Sequence, residues 1–207
     1  MKQIVFATGN HSKLAQIRFV AGHYDIPIEI INGKETYGDN ASYEEIGDNV
    51  SDVARNGAIM VAKRIGVPVI TEDTDFRVDA LGGIPGIHAG AFLKQYGRGE
   101  ILYRMRDVKN RNAAIRSAVA YATPEGTCNV FHRTIEGHIA HEEHYGDYPD
   151  WIAPNEHNAY GGGYNAIFIP QDREKTLAEI SPEEAMPWSY REQNFVNVLT
   201  YIIGLPE

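Results

Sequence analysis

Pro68-Val69-Ile70-Thr71-Glu72-Asp73-Thr74-Asp75 is the stretch whose reading decides the fold. Residues 68–71 are a short β-branched run and read as a buried strand. The run ends in three acids within four residues. Leu81-Gly82-Gly83-Ile84-Pro85-Gly86 comes next, a Gly/Pro run that reads as a loop. A buried strand that delivers acids to its C-terminal end, ahead of such a loop, is how open α/β sheets build sites. Adjacent carboxylates repel, so they need a cation, a base or solvent beside them. A hard cation with oxygen ligands suits them, and Mg²⁺ normally arrives with a phosphate. A solvent-exposed acidic turn is the competing reading, and composition leaves both open.

Upstream of this stretch, strand and helix alternate. Ile4-Val5-Phe6-Ala7 is a buried strand by its apolar run. Thr8-Gly9-Asn10 breaks it, and Ser12 can cap a helix in which Leu14, Ile17, Val20 and Ala21 recur at helical spacing until Gly22. Thr8 to Lys13 is therefore a strand-to-helix corner. Its amides attract anions and Lys13 adds a full charge. The corner carries neither the Rossmann nor the Walker glycine fingerprint. Residues 27–31 read as a second strand, and the polar stretch 32–47 as a loop containing Glu44-Glu45. A helix then starts near Asn49 or Ser51 and runs to Ile65 on a Val/Ala stripe, with Gly66 and Pro68 closing it. Such alternation predicts an α/β class.

Downstream, Phe76, Val78 and Ala80 alternate with Arg77 and Asp79, so 76–81 reads as a separate strand. Short helices are expected near 91–96 and 98–106. Residues 113–122 and 127–139 read as strands joined by Thr123-Pro124-Glu125-Gly126, a type I turn signal and the clearest hairpin in the chain. Residues 140–160 have loop composition, 164–169 read as an apolar strand, and 186–203 as the last helix.

At 207 residues, 43% hydrophobic and 23% charged, the chain is an ordinary globular sequence with enough length for a sizeable core. A net charge of −9 argues against general nucleic-acid or membrane-surface binding, but not against a phosphate ligand met by a few local cations. Cys128 is the only cysteine, so no internal disulfide forms and a reducing setting is expected. No apolar run reaches 18 residues, and the N-terminus has no signal-peptide pattern.

Three motifs now stand in one order. They are Ala7-Thr8-Gly9-Asn10-x-x-Lys13; Glu72-Asp73-Thr74 with Asp79-Ala80-Leu81-Gly82-Gly83-Ile84-Pro85-Gly86; and Gly161-x-Gly163-Tyr164-x-x-Ile167-Phe168. Together they resemble the inosine/xanthosine triphosphate pyrophosphatase family over nearly the whole chain. The resemblance implies one domain over 1–207, with a central mixed β-sheet flanked by helices and two lobes around a nucleotide cleft. It also implies Mg²⁺ dependence, a homodimer, and cleavage of a nucleoside triphosphate to monophosphate and pyrophosphate, while the reducing setting read from the lone cysteine makes the expected location cytoplasmic. By that resemblance Thr8, Asn10 and Lys13 hold the triphosphate, and Asp73 activates the attacking water with the metal. Glu45 and Glu72 complete the acidic metal set. Thr74, Gly163, Tyr164, Asn165, Ser189, Tyr190 and Arg191 fall at substrate-binding positions.

The sequence departs from the family pattern in a cluster. The base-stacking aromatic falls on Gly162, the Asp after Gly-Tyr is Asn165, and the His of a Ser-His-Arg triplet is Tyr190. Two family lysines fall on Gly57 and Ala185. The water and metal groups are kept, whereas base recognition is altered, and lost hydrogen-bond partners change discrimination steeply. Trp151, Trp188 or Tyr160 could replace the aromatic, and Arg55 the missing lysine. A nucleotide-binding module without turnover, or a phosphatase acting on other nucleotides, are the alternative functions.

Other signals have plainer readings. His138-x-x-His141-x-x-His144 is a solvated loop before it is a zinc site. Cys128 is a buried thiol before it is a nucleophile. Asp75 and Asp79 are expected to cap or to face solvent.

Overall fold

The structure, a computed structural model, describes residues 1–146 and 163–206. Strand β1 (Lys2–Phe6) runs into helix α1 (His11–His23), then β2 (Ile28–Asn32), the short helix α2 (Gly33–Tyr37), helix α3 (Val50–Ile65) and strand β3 (Val69–Val78). Beyond them come β4 (Ile84–Gly86), α4 (Ala89–Tyr96), α5 (Gly99–Met105), β5 (Asn112–Ala122) and β6 (Cys128–Ile139). The chain then passes through β7 (Phe168–Pro170), α6 (Pro182–Ala185) and α7 (Tyr190–Gly204).

Among the described residues the strands form one seven-stranded sheet in the order β2-β1-β3-β5-β6-β7, with β4 on β3. β1 lies parallel to β2 and β3, whereas β4 is antiparallel to β3 and β7 to β6. The sheet is therefore mixed and helices alternate with its strands, the α/β class expected. Parallel neighbours need crossover connections, which α1 and α3 supply. The 123–127 connection closes as a tight turn, with the Thr123 amide donating to the Thr127 carbonyl at 2.9 Å.

Cα positions group into two compact units. The first comprises 1–73, 117–133 and 191–207; the second comprises 74–116 and 134–190. In the first, α1 buries Leu14, Ile17 and Val20, and α3 buries Val53, Ala54, Val61 and Ala62. Their stripes keep the 3.6-residue period. Phe6 and Phe195 meet edge to face at 5.8 Å between centroids. In the second, Phe76, Val78, Ile101, Met105, Ile115, Ile139, Tyr164, Ile167, Phe168 and Tyr190 share one core cluster.

Several expectations change. The strand at 68–71 and the one at 76–81 are a single ten-residue strand, β3, so the acids lie inside it and not at its end. Glu72, Asp73 and Asp75 are all buried, which removes the exposed-turn reading. The polar stretch 32–47 contains α2 and a 3₁₀ turn over Gly38–Ala41, because the Asn32 side chain caps the amides of Lys34 and Glu35. The Gly/Pro run is not wholly loop: Ile84–Gly86 pairs with Phe76–Val78 as β4. Gly83 makes this return possible, since it sits at φ 85° and a Cβ there would meet the Arg77 guanidinium at 2.6 Å. The strand expected at 164–169 is shortened to β7 behind a 3₁₀ turn. The last helix begins at Tyr190 and not at Met186.

Candidate active site

Within the first unit the decisive element is β3, which carries Glu72 and Asp73 beside α1. Asn10 caps α1: its side chain accepts from the amides of Ser12 at 2.9 Å and Lys13 at 3.3 Å. Thr8 Oγ1 accepts from the Asn10 amide at 3.1 Å. Thr8 and Asn10 thus build the corner, and the amides expected to meet an anion are already bonded to their side chains. The cation of the corner reaches inward instead. Lys13 Nζ lies 2.8 Å from Glu72 Oε2 and donates to the Glu72 carbonyl at 2.9 Å.

Glu72 gathers more partners. Its Oε1 accepts from Ser117 Oγ of β5 at 2.9 Å and from Arg191 Nε of α7 at 3.1 Å. Arg191 also donates to Gln16 Oε1 at 2.7 Å, and Gln16 Nε2 donates to the buried Glu192 at 3.1 Å. Asn194 Nδ2 donates to the Ser117 carbonyl at 2.9 Å and to its hydroxyl at 3.2 Å. A buried network of this kind is rigid when its members are paired. It brings Lys13 and Arg191 onto Glu72 from 59 and 119 positions away in sequence. Gln16, Ser117 and Asn194 are members that sequence reasoning missed. A signal existed at Ser117, a hydroxyl inside an otherwise Ala-rich buried run.

Tyr43 is the other missed residue. Its ring lies on α3 where Gly57 has no side chain: a Cβ there would fall 2.6 Å from ring carbons of Tyr43. Burial first, then the charges of Asp73, Glu72 and Glu45, push the phenol above its usual range. All three expected metal-set acids therefore act on one hydroxyl. Glu45 is exposed, whereas Asp73 is buried. Among the described residues no three His, Cys, Asp or Glu side chains converge as a ready metal nest. Mg²⁺ requires less, since one or two carboxylates and substrate phosphates complete its shell. Asp73 and Glu45 are oxygen donors of the kind that requirement names, and both act on Tyr43.

In the second unit, Tyr164 stacks on Phe76 with centroids 4.2 Å apart, and its hydroxyl donates to the Ala89 carbonyl at 2.9 Å. Tyr190 is buried in the same cluster and Ser189 is buried beside it in sequence. Thr74 and Asn165 are half-buried. The Gly163 carbonyl accepts from Arg98 at 3.0 Å. Trp188 packs against that cluster and takes Arg173 over its ring at 4.7 Å. Gly161, Gly162, Trp151 and Tyr160 lie outside the described residues. Asp75 does not face solvent: it is fully buried and takes a two-pronged pair from Arg116, with Nε 2.9 Å from Oδ1. Asp79 is exposed, as expected. Arg55 stays near Asp52 at 3.8 Å, half-exposed, and the space left by the missing lysine holds Tyr43. Glu143 of the histidine-rich stretch pairs with Arg98 at 2.9 Å.

Fold and site together describe an α/β protein that sets buried acids and two cations at the centre of a mixed sheet. The model of the Ham1 family matches residues 4–201, and the chain belongs to that family. A dITP/XTP pyrophosphatase of Methanosarcina mazei is 30% identical over 204 residues, covering 99% of each chain. One from Methanopyrus kandleri is 32% identical over 190 residues, covering 91% of this chain and 90% of the relative. The Ham1 protein structure from Coxiella burnetii superposes with a TM-score of 0.80 at 24% identity, covering 99% of this chain and 100% of that one. The Staphylococcus aureus Ham1 structure gives 0.76 at 24%, covering 98% of each, and both likenesses show the fold.

Proposed function

We propose that the protein is a nucleoside triphosphate pyrophosphohydrolase. It takes non-standard purine nucleotides such as ITP, dITP and XTP to the monophosphate and pyrophosphate. The observation that carries this reading is Lys13 and Arg191 held on buried Glu72, with Asp73 next in the same strand. The full-length relatives named dITP/XTP pyrophosphatase support the substrate class.

Hydrolysis requires water to attack an anionic phosphorus, so charge must be balanced before chemistry begins. Lys13 and Arg191 supply two positive charges, with Glu72, Asp73 and Glu192 as the acids around them. Asp73 is the group to take the proton from the attacking water. Lys13 stabilises the pyrophosphate as it leaves. Mg²⁺ is the cation of this reading, with Asp73 and Glu45 to hold it, and when bound it neutralises the phosphate oxygens. Thr8 and Asn10 act by shaping the corner that presents Lys13. Thr74, Gly163, Asn165 and Ser189 remain the substrate-side positions. Tyr164 and Tyr190 enter as the packed support of that side. A cytoplasmic homodimer completes the reading.

The test is a product assay. Wild type and Asp73→Asn are incubated with Mg²⁺ and a panel of standard, deaminated and modified ribo- and deoxyribonucleoside triphosphates. Monophosphate and pyrophosphate from wild type, with a loss of about a hundredfold or more in Asp73→Asn, is the expected result. Orthophosphate as product would indicate a phosphatase, and silence across the panel would leave a binding module.

A further inference from the structure

We propose that Glu72 is a positioning residue that fixes Lys13 and Arg191 for the nucleotide and is not a ligand of the metal. The inference rests on the hydrolase reading above. It separates Glu72 from Asp73 and Glu45, with which the family resemblance groups it.

Three observations carry it. First, both carboxylate oxygens face partners already in place. Oε1 accepts hydrogen bonds from Ser117 and Arg191, and Oε2, which accepts no hydrogen bond, is ion-paired with Lys13 at 2.8 Å. A cation reaching either oxygen has to displace a charged partner first.

Second, the order from inside to outside is wrong for a metal ligand. The Glu72 side chain has no exposed surface, whereas those of Lys13 and Arg191 keep 18% and 14%. The two cations are the members of the cluster that reach solvent, and the acid does not. Mg²⁺ keeps several waters when it binds a protein, and a carboxylate with no exposed surface and two cations on it suits them poorly. An arriving phosphate, by contrast, meets Lys13 and Arg191 directly.

Third, the site is built to hold those cations still. Lys13 comes from α1, Glu72 from β3, Ser117 from β5 and Arg191 from α7, all within one unit. Gln16 fixes the far side of the guanidinium at 2.7 Å. Asn194 fixes Ser117, which in turn holds Glu72. Two cations converge on one carboxylate, and cations that still reach solvent suit an anionic ligand. Long side chains lose much freedom when they bind, and anchoring them beforehand lowers that cost.

The test compares Glu72→Gln with Asp73→Asn in the full-length protein. Glutamine keeps the shape and one acceptor but turns an amide donor towards a cation. Two readouts are taken. One is the steady-state split of kcat and KM on the preferred triphosphate. The other is Mn²⁺ affinity, read by electron paramagnetic resonance with an α,β-methylene nucleoside triphosphate bound, which needs no turnover. Glu72→Gln is expected to lower kcat/KM by about tenfold or more while Mn²⁺ affinity stays within about twofold of wild type. Asp73→Asn is expected to weaken Mn²⁺ in the same measurement.

A tenfold loss of Mn²⁺ affinity in Glu72→Gln would overturn the proposal, and so would unchanged kcat/KM. Should Glu72→Gln fail to fold, Ser117→Ala, which removes one bond to Glu72 and no charge, carries the same two expectations at smaller size. A wild type that cleaves nothing fails the hydrolase reading instead. In that event affinity for the methylene analogue replaces kcat/KM, and the same loss in Glu72→Gln is expected.

Discussion

Gly57 shows the effect of one absent side chain. In a helix interior, Gly→Ala ordinarily stabilises by about 1 kcal/mol. Here the added methyl would sit 2.6 Å from Cδ2 and Cε2 of Tyr43, so the ring has to leave its seat. We expect Gly57→Ala to destabilise by about 1–3 kcal/mol through overpacking. In a Tyr43→Ala background the same change should stabilise by about 1 kcal/mol, as an ordinary helical position does. Urea unfolding of the four proteins reads both signs. Stabilisation by Gly57→Ala with Tyr43 present would mean that the ring is seated elsewhere. Sequence reading found Gly57 only as the place where a family lysine is missing. Nothing local to residue 57 announces that a tyrosine fourteen positions earlier fills the space.

At the scale of elements, β3 is where the sequence was both most and least legible. The β-branched run, the helices around Asn10 and Asn49 and the 123–127 turn arise from side-chain types that set local geometry. The two helices keep their expected boundaries to within a residue or two, and the β-branched run keeps its start at 69 but not its end. The continuity of β3 through Glu72-Asp73-Thr74-Asp75 does not arise from propensity, because acids disfavour strands. It depends on partners far along the chain: Lys13, Ser117 and Arg191 for Glu72, and Arg116 for Asp75. Such pairings turn a turn-like composition into a buried strand, and only the assembled sheet reveals them. The same distance hid Gln16 and Asn194, whereas Lys13, Asp73 and Arg191 were legible because the resemblance marks them. The Asp75–Arg116 pair allows a direct check. Asp75 is fully buried and Arg116 keeps 31% of its side chain exposed. Removal of one partner from a buried pair costs about 3 kcal/mol or more, and the partial exposure of Arg116 discounts this towards about 2 kcal/mol. Asp75→Asn should therefore unfold at lower urea with an unchanged slope, while Asp79→Asn, at an exposed position, should move the midpoint little. Equal effects from the two would show that the pair adds nothing.

At the scale of the whole molecule, each compact unit holds a phenol kept from ionising. Burial leads in both cases: for Tyr43 in the first unit, with Asp73, Glu72 and Glu45 adding to it, and for Tyr164 in the second. Both folded pKa values lie above the ordinary value of 10.0. Below that value folded and unfolded chains hold the proton alike, so neither group makes stability depend on pH. Above it the unfolded chain releases the proton first and the native chain binds more, so stability must fall as pH rises. Urea midpoints measured from about pH 8 to about pH 11 should be flat at first and should then drop above about pH 10. Tyr164→Phe lowers the plateau, since the bond to Ala89 is lost, by about 1 kcal/mol. The same substitution flattens the alkaline limb, because a group that cannot ionise contributes no slope. Tyr43→Phe should flatten it independently, through the other unit. A limb as steep in both variants as in wild type would assign the alkaline loss to other groups. A limb flattened by one variant alone would show that the two units do not carry the load together.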